Sequence, residues 1–327
     1  MLAGVKREIR FQIPHARAGG ALLDFVAQRF PYHSAEGWEQ RIADGRLLVN
    51  GRRTAPGRTL LAGDVLEYDG SDIVEPPVSR NVGVVFDDSD LLVVDKPANL
   101  PTHPGGRYFN HTLWAILKTE FGVDDPTFVN RLDRETSGLV VVARHSRAAK
   151  ACRAQFAARR VEKRYVALVE GAFPGQLHAA GRVAPDTDDV THKKQRFVPL
   201  PPEAATGAEG AGSTWAETDF RRVAACGPVT EVEAAPATGR LHQIRVTLAA
   251  LGFPVVGDKL YGVVPDAFAR FCRDALTAAD WDRLRLPRQA LHAASLRLRH
   301  PRGAELCLEA PLPEDMRELA RRLHGAA

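Results

Sequence analysis

The stretch that most restricts this chain is Leu139 to Ala143, Leu-Val-Val-Val-Ala, entered through Asn130 to Gly138, Asn-Arg-Leu-Asp-Arg-Glu-Thr-Ser-Gly. An unbroken apolar run rich in β-branched residues reads as a buried strand. One carboxylate, Asp133, stands at its lip between Arg131 and Arg134. Burying an ion there is costly unless the ion is paired or used. If residues 131–133 are extended, the side chains of Arg131 and Asp133 share a face. A guanidinium at that range holds a carboxylate ionised and oriented. Two readings follow. The pair ties a turn to a strand, or the carboxylate attacks an electrophilic carbon or takes a proton.

The chain around this stretch divides by pattern. Leu22, Leu23, Phe25, Val26 and Phe30 fall at helical spacing, and Ser34 is placed to cap a second helix carrying Trp38 and Ile42. Short strands at Leu47–Val49 and Val65–Tyr68 flank an Asn50-Gly51 turn. Residues 1–75 therefore form a small α+β unit, and 76–83, with Pro76-Pro77, reads as a linker. From 84 to 327 come strands at Val84–Phe86, Leu91–Val94, Lys163–Val169, Phe220–Val223, Thr230–Glu233, Leu291–Leu298 and Glu305–Leu308, with helices of uneven length between them. That order does not alternate as βαβα, so the fold class is α+β with a mixed, largely antiparallel central sheet and flanking helices. Residues 180–213 are rich in Pro, Gly, Asp and Ala and read as a mobile insertion, with 199–212 close to low complexity. In the helix after Thr238-Gly239-Arg240, Leu241, Ile244, Leu248 and Leu251 form a buried stripe. His242 and Arg245 lie off it, free to face a cleft.

Charge clusters rather than spreads. The net charge is only +4 over 327 residues, but between Arg144 and Arg164 eight cations face the single acid Glu162. Intrahelical pairing cannot satisfy that excess. It is either a solvated helix face or a surface for nucleic acid. Arg41, Arg46, Arg52, Arg53 and Arg58 in the first unit pose the same choice, with phosphate contact as the sharper alternative.

Several classes fall away. No apolar run approaches the roughly 20 residues that span a bilayer, so no membrane partner is expected. The first ten residues lack an apolar segment of a secretory signal. The four cysteines are scattered, which argues against a zinc site and a disulfide framework and fits a reducing cytoplasm. His103, His242 and His292 are not spaced as metal ligands. Neither a dinucleotide fingerprint nor a P-loop occurs, so no cofactor and no metal are expected.

Ordered motifs add a family. Arg131-Leu132-Asp133-Arg134-Glu135-Thr136-Ser137-Gly138 resembles the active-site motif of the RluA-type pseudouridine synthases. Asp95-Lys96-Pro97 through Pro104 resembles their first motif. Lys163-Arg164-Tyr165 is similar to the strand that carries their active-site tyrosine. Thr238 to Arg245 and Gly257-Asp258 to Tyr261-Gly262 resemble the third motif, and Arg288-Gln289-Ala290-Leu291-His292-Ala293 the C-terminal strand. The match spans about Val84 to Pro313. Trp38 through Gly51 resembles an S4-type RNA-binding domain.

The resemblance implies an RNA uridine isomerase that needs no cofactor and flips its target base out of the RNA. Asp133 is then the essential carboxylate and Tyr165 stacks on the uracil and assists proton transfer. Arg245 pairs with Asp133, and Arg131 helps displace the flipped base. Leu241 lines the uracil pocket. Arg240, His242, Lys96 and Arg134, with Arg46 and Arg52 of the first unit, contact RNA. The partner expected is RNA, ribosomal RNA of the large subunit first and transfer RNA second, with no DNA, for a monomer. Asn130 departs from the family, which has His there. Two other functions compete. One is a non-catalytic RNA-binding assembly factor. The other is a glycosidase-like hydrolase, which needs a second carboxylate, and Glu135 is the near candidate.

Overall fold

The Leu139–Ala143 run lies in the middle of a long sheet. The computed structural model describes residues 5, 7–30, 33–189, 193–201 and 214–324. Its contacts divide the chain into two units, Met1–Val78 with His103–Val123, and Ser79–Thr102 with Asp124–Ala327.

The first unit holds β1 (Glu8–Gln12), α1 (Leu22–Arg29), α2 (Ala35–Ala43), β2 (Leu47–Val49), β3 (Val65–Asp69) and α3 (Leu113–Thr119). Its three strands are antiparallel in the order β1-β3-β2. Leu22, Val26 and Phe30 recur every four residues, one face of a helix, and bury with Trp38, Ile42, Leu47, Val49 and Leu66. The Ser34 hydroxyl accepts from Gly37 N–H at 3.2 Å and starts α2. Residues 103–123, counted from sequence with the part beyond 84, belong to this unit by contact. The reason is polar. The Glu75 carboxylate accepts from the N–H groups of Phe109, Asn110 and His111 at 2.7, 2.9 and 2.8 Å. Arg7 Nη2 donates to the Gly106 carbonyl at 2.8 Å. Hydrophobic period carries no signal for such a loop.

The second unit runs β4 (Gly83–Asp87), β5 (Leu91–Lys96), β6 (Thr127–Phe128), β7 (Ser137–Ala143), α4 (Ser146–Ala157), β8 (Glu162–Glu170), β9 (Gln176–Pro185), β10 (Gln195–Pro199), β11 (Trp215–Cys226), β12 (Val229–Pro236), α5 (Gln243–Ala250), α6 (Ala267–Cys272), α7 (Ala278–Leu284), β13 (Leu291–Arg299), β14 (Glu305–Glu309) and α8 (Glu314–His324). Its eleven strands form one sheet in the order β10-β9-β11-β12-β8-β13-β7-β5-β4, with β14 on β13 and β6 on β7. The pairings are antiparallel except β7 with β13. This is the mixed α+β sheet that the irregular strand order implies.

Every residue of β7 is buried. Leu139, Val141 and Ala143 pack with Ala148, Ala149 and Cys152 of α4. The parallel β7–β13 junction pairs Ser137 with His292 and Gly138 with Ala293. Gly138 has φ +111°, and a Cβ there would lie 2.3 Å from the Ala293 carbonyl oxygen. Only glycine lets the loop carrying Asp133 enter the strand at this point.

Two expectations are corrected. Part of the supposed mobile insertion, 180–213, is ordered pairing: β9 and β10 register from Gln195↔Pro185 to Pro199↔Gly181. β10 buries only Phe197, which left little periodic apolar signal. Residues 190–192 and 202–213 of that insertion lie outside the described residues. The helix after Arg240 also differs. His242 adopts φ 57°, ψ 15°, so α5 begins only at Gln243 and Leu241 is left outside, 45% exposed. Gln243 to Leu248 are then all buried, where a single stripe was expected.

Replacing Gly138 with Ala should lower stability by about 3 kcal/mol, because both the dihedral and the backbone contact oppose a Cβ. Gly175, with open space around it, is the control. Gly175→Ala should shift unfolding by less than about 0.5 kcal/mol. Denaturant melts giving equal shifts for the two would refute the assignment.

Candidate active site

Four loops or helix ends meet at the entrance to β7. Between them lies a cleft of about 340 Å³ lined in part by Asn130, Arg131, Asp133, Phe156, Lys163, Tyr165, Arg240, His242 and Arg245.

Asp133 is held from a distance of 112 residues. Arg245 Nη1 donates to Asp133 Oδ2 at 2.7 Å. The same guanidinium is gripped on its other edge by Asp258. Nε donates to Oδ2 at 2.6 Å and Nη2 to Oδ1 at 2.9 Å. Asp258 is fully buried, and its Oδ1 also accepts from the N–H groups of Leu260 and Tyr261 at 2.9 and 3.0 Å. The bidentate fork fixes the plane of the arginine, and Tyr261 packs under it, 5.1 Å from ring centre to Cζ. One free edge then points at Asp133. Gln289 Nε2 reaches the same oxygen at 3.5 Å and Thr136 Oγ1 at 2.5 Å.

The charges follow. Burial raises the pKa of Asp133, but Arg245 first, then His242 and Gln289, outweigh it and hold the carboxyl below its ordinary value. Its side chain stays 26% exposed to the cleft. Arg245 is raised in turn, with burial opposed by Asp258 and Asp133. Tyr165 is pushed up to about 12 by burial and then by the Asp133 charge, so it stays a neutral phenol. Lys163, two positions earlier on the same face of β8, donates to the Thr238 carbonyl at 3.1 Å. Burial, then Arg159 and Arg240, lower it to about 8. His242 is lowered by burial and then Arg245. Its Nδ1 meets Tyr261 Oη at 2.8 Å. That hydroxyl also accepts from Gln195 N–H at 2.8 Å. Nε2 lies 3.9 Å from Asp133 Oδ1.

The residues singled out from sequence separate into three groups. Asp133, Tyr165, Arg245, Arg131, Arg240 and His242 share the cleft. Arg131 is exposed, with no hydrogen bond or ion pair among the described residues, so it is not the partner of Asp133 that extended geometry implied. Arg240 Nε donates to the Trp215 carbonyl at 3.0 Å and keeps its edge on the cleft. Arg134 turns away to Glu135 at 2.8 Å and to the ring of Phe271. Lys96 is fully buried and donates to the carbonyls of Pro97 and Leu100 at 2.9 Å and Arg134 at 3.3 Å. Burial lowers it to about 7. It pins two loops and cannot reach a phosphate. Leu241 is not among the cleft residues.

In the first unit, Arg46 is tied to Asp72 at 3.1 Å and Arg52 is exposed. Glu135, the candidate second carboxylate, is spent on Lys259 at 3.0 Å, Arg134 and the Gln289 N–H. It does not line the cleft, which leaves the hydrolase alternative without its acid.

Asp258, Gln289, Thr136 and Lys163 were assigned no role from sequence. All four lie in strings that resemble family motifs, and that was the available signal for them. Asn130 also gains an explanation. Its Nδ2 donates to the Leu139 carbonyl at 3.1 Å and its Oδ1 accepts from Val141 N–H at 2.8 Å. The side chain closes the loop onto β7 by bonding backbone.

Comparison with known proteins decides the family. Residues 90–250 match the family model described as RNA pseudouridylate synthase. The chain is 32% identical to the ribosomal large subunit pseudouridine synthase D of Yersinia pestis, over 95% of this chain and 93% of that protein. The chain belongs to the RNA pseudouridine synthase family. It is also 32% identical, over 73% of its length, to the mitochondrial tRNA pseudouridine(32) synthase of Saccharomyces cerevisiae, of which it spans 50%. The structure resembles the human RNA pseudouridylate synthase domain containing 1, with TM-score 0.53, 26% identity and coverage of 76% of this chain and 97% of the other. These synthases are isomerases that turn uridine into pseudouridine, and the enzyme described here is one of them.

In this synthase Asp258 should act through Arg245. Asp258→Asn removes one charge of a buried pair and is expected to cost about 3 kcal/mol in unfolding experiments. Misaiming Arg245 should lower kcat about 100-fold while RNA affinity holds. A kcat equal to wild type in folded Asp258→Asn would show that the fork does not orient the site.

Proposed function

We propose that the enzyme isomerises uridine in large-subunit ribosomal RNA, with Asp133 as its one essential carboxylate. The observation that carries this is the cleft itself: an ionised, half-sheltered carboxylate aimed by Arg245, a neutral phenol from Tyr165 and cations from Arg131, Lys163 and Arg240 on one pocket. The reaction breaks the bond from N1 to C1′ and forms one from C5 to C1′. The C5 proton leaves and N1 gains one, so atoms and electrons balance without a co-reactant. A charged carboxylate beside the sugar can attack or stabilise the electron-poor carbon that N1 leaves. Tyr165 is positioned to stack on the freed uracil and to assist the transfer of the C5 proton. Arg131, exposed and without a hydrogen bond or ion pair among the described residues, is suited to fill the gap left by the flipped base.

The choice of ribosomal RNA rests on the relative named for the large subunit, which matches this chain nearly end to end. The yeast relative, named for transfer RNA, is matched over half its length, and transfer RNA is the second target to test. We assign the first unit, with its S4-like pair of helices and exposed Arg52 and Arg53, to holding RNA.

RNA labelled with tritium at uracil C5 should lose label to water when the purified protein is added. Asp133→Ala should release none above background and still bind RNA. No release by wild type from either ribosomal or transfer RNA would sink the assignment. Pseudouridine mapping in a deletion strain then names the RNA.

The charges also set a pH profile. Asp133 has a depressed pKa, with Arg245 and His242 outweighing its burial, so the ionised form needed is present from neutral pH down through the ordinary carboxylate range. Acid loss above that range must come from elsewhere. Lys163 loses its proton near 8, so KM for RNA should rise as pH passes that value. Lys163→Met should raise KM at pH 7 and flatten the alkaline rise. An identical alkaline limb in Lys163→Met would remove Lys163 from RNA binding.

A further inference from the structure

A second cavity, about 610 Å³, runs along the outer flank of α4 and is bounded in part by Thr127, Arg144, Lys150, Arg153, Ala154 and Ala157. The same helix reaches the active-site cleft through Phe156. One helix therefore lines both cavities.

The charge on this helix is one-sided. Arg147, Lys150 and Arg153 recur every three residues, so they are neighbours on its surface. All three are exposed, and none has a carboxylate partner among the described residues. Arg153 donates to a backbone oxygen, Phe128 O, at 3.3 Å. Arg144 is held by Asp87 at 2.5 Å, and Asp125 is the acid in the lining. At the other end of the helix, the Arg159 charge acts on Lys163 and Arg240 in the cleft. Basic surface thus continues from the cleft past Arg159 and along α4 into the groove. Small alanines at 149, 154 and 157 leave the groove floor open. A polyanion with regularly spaced charges suits a stripe of regularly spaced, uncompensated cations.

We propose that α4 is a second RNA-binding surface, over which the backbone flanking the target nucleotide passes into the groove at Lys150 and Arg153. This rests on the enzyme acting on RNA. The base enters the cleft, and phosphates on one side of it lie along the helix. Contacts to phosphate carry no sequence information. They lengthen the footprint beyond what the cleft covers and raise affinity for long RNA.

The test uses the full chain and large-subunit ribosomal RNA transcribed in vitro, with binding measured across a salt series. Lys150→Gln/Arg153→Gln should reduce the slope of log affinity against log salt by about 1.4, two contacts at about 0.7 each for a single strand. KM for the same RNA should rise. Lys150→Glu/Arg153→Glu should weaken binding further. Arg273→Gln/Arg322→Gln, which removes equal charge outside both cavities, should leave the slope unchanged. If the α4 pair shows the wild-type slope, or falls no more than the control pair, the surface is refuted while the RNA assignment stands. If wild type shows no salt-dependent RNA binding at all, both are overturned.

Discussion

Everything at the site depends on one guanidinium shared by two carboxylates. Arg245 sits buried between Asp258 and Asp133. A buried cation between two anions is stable only if its hydrogen bonds are complete. Asp258 supplies that completeness. It takes two guanidinium N–H groups and two backbone N–H groups, and leaves Arg245 and Gln289 to meet Asp133 on one oxygen only, with the other oxygen open. The division of labour keeps Asp133 both ionised and reachable. If it were gripped on both oxygens, it would be as inert as Glu135, which Lys259, Arg134 and a backbone N–H consume.

Backbone geometry then brings the pieces together. Gly138 allows β7 to meet β13 in parallel, which sets Thr136 and Gln289 within 2.5 Å of each other beneath Asp133. His242, in the left-handed region, ends the preceding loop sharply and starts α5 with Arg245 facing inward. Lys96 and Asn130 spend their polar groups on loop and strand backbone. With those groups spent on backbone, both residues hold the loop that carries Asp133.

Much of this was legible in the sequence, and the failures share a cause. The buried strand after Gly138, the α1 and α2 helices with their Ser34 cap, and the cleft set of Asp133, Tyr165, Arg245 and His242 could be read because local period and ordered motifs report them. Leu241 could not, because the break at His242 depends on a single dihedral that periodicity does not see. β9 and β10 were hidden because their few core residues, Ala179, Val183 and Phe197, are spread among polar ones and the strands are defined by backbone pairing. Lys96 looked like an RNA contact until its burial was known. Arg131 and Arg134 flank Asp133 in the chain, but residues 131–133 are not in a strand, Arg131 is exposed and Arg134 turns to Glu135 and Phe271, so alternation along a strand does not describe them.

The sequence by itself determined the class of protein, the α+β character and the carboxylate at the lip of the core strand. These are properties of composition, hydrophobic period and a short motif, all of which are local. The tertiary structure alone decided which arginine holds that carboxylate, which aspartate holds the arginine, and which cations remain free for RNA. Those are contacts across 13 to 156 residues. Long-range pairing of this kind is set by how the sheet closes and what it buries, and no window of the chain contains it.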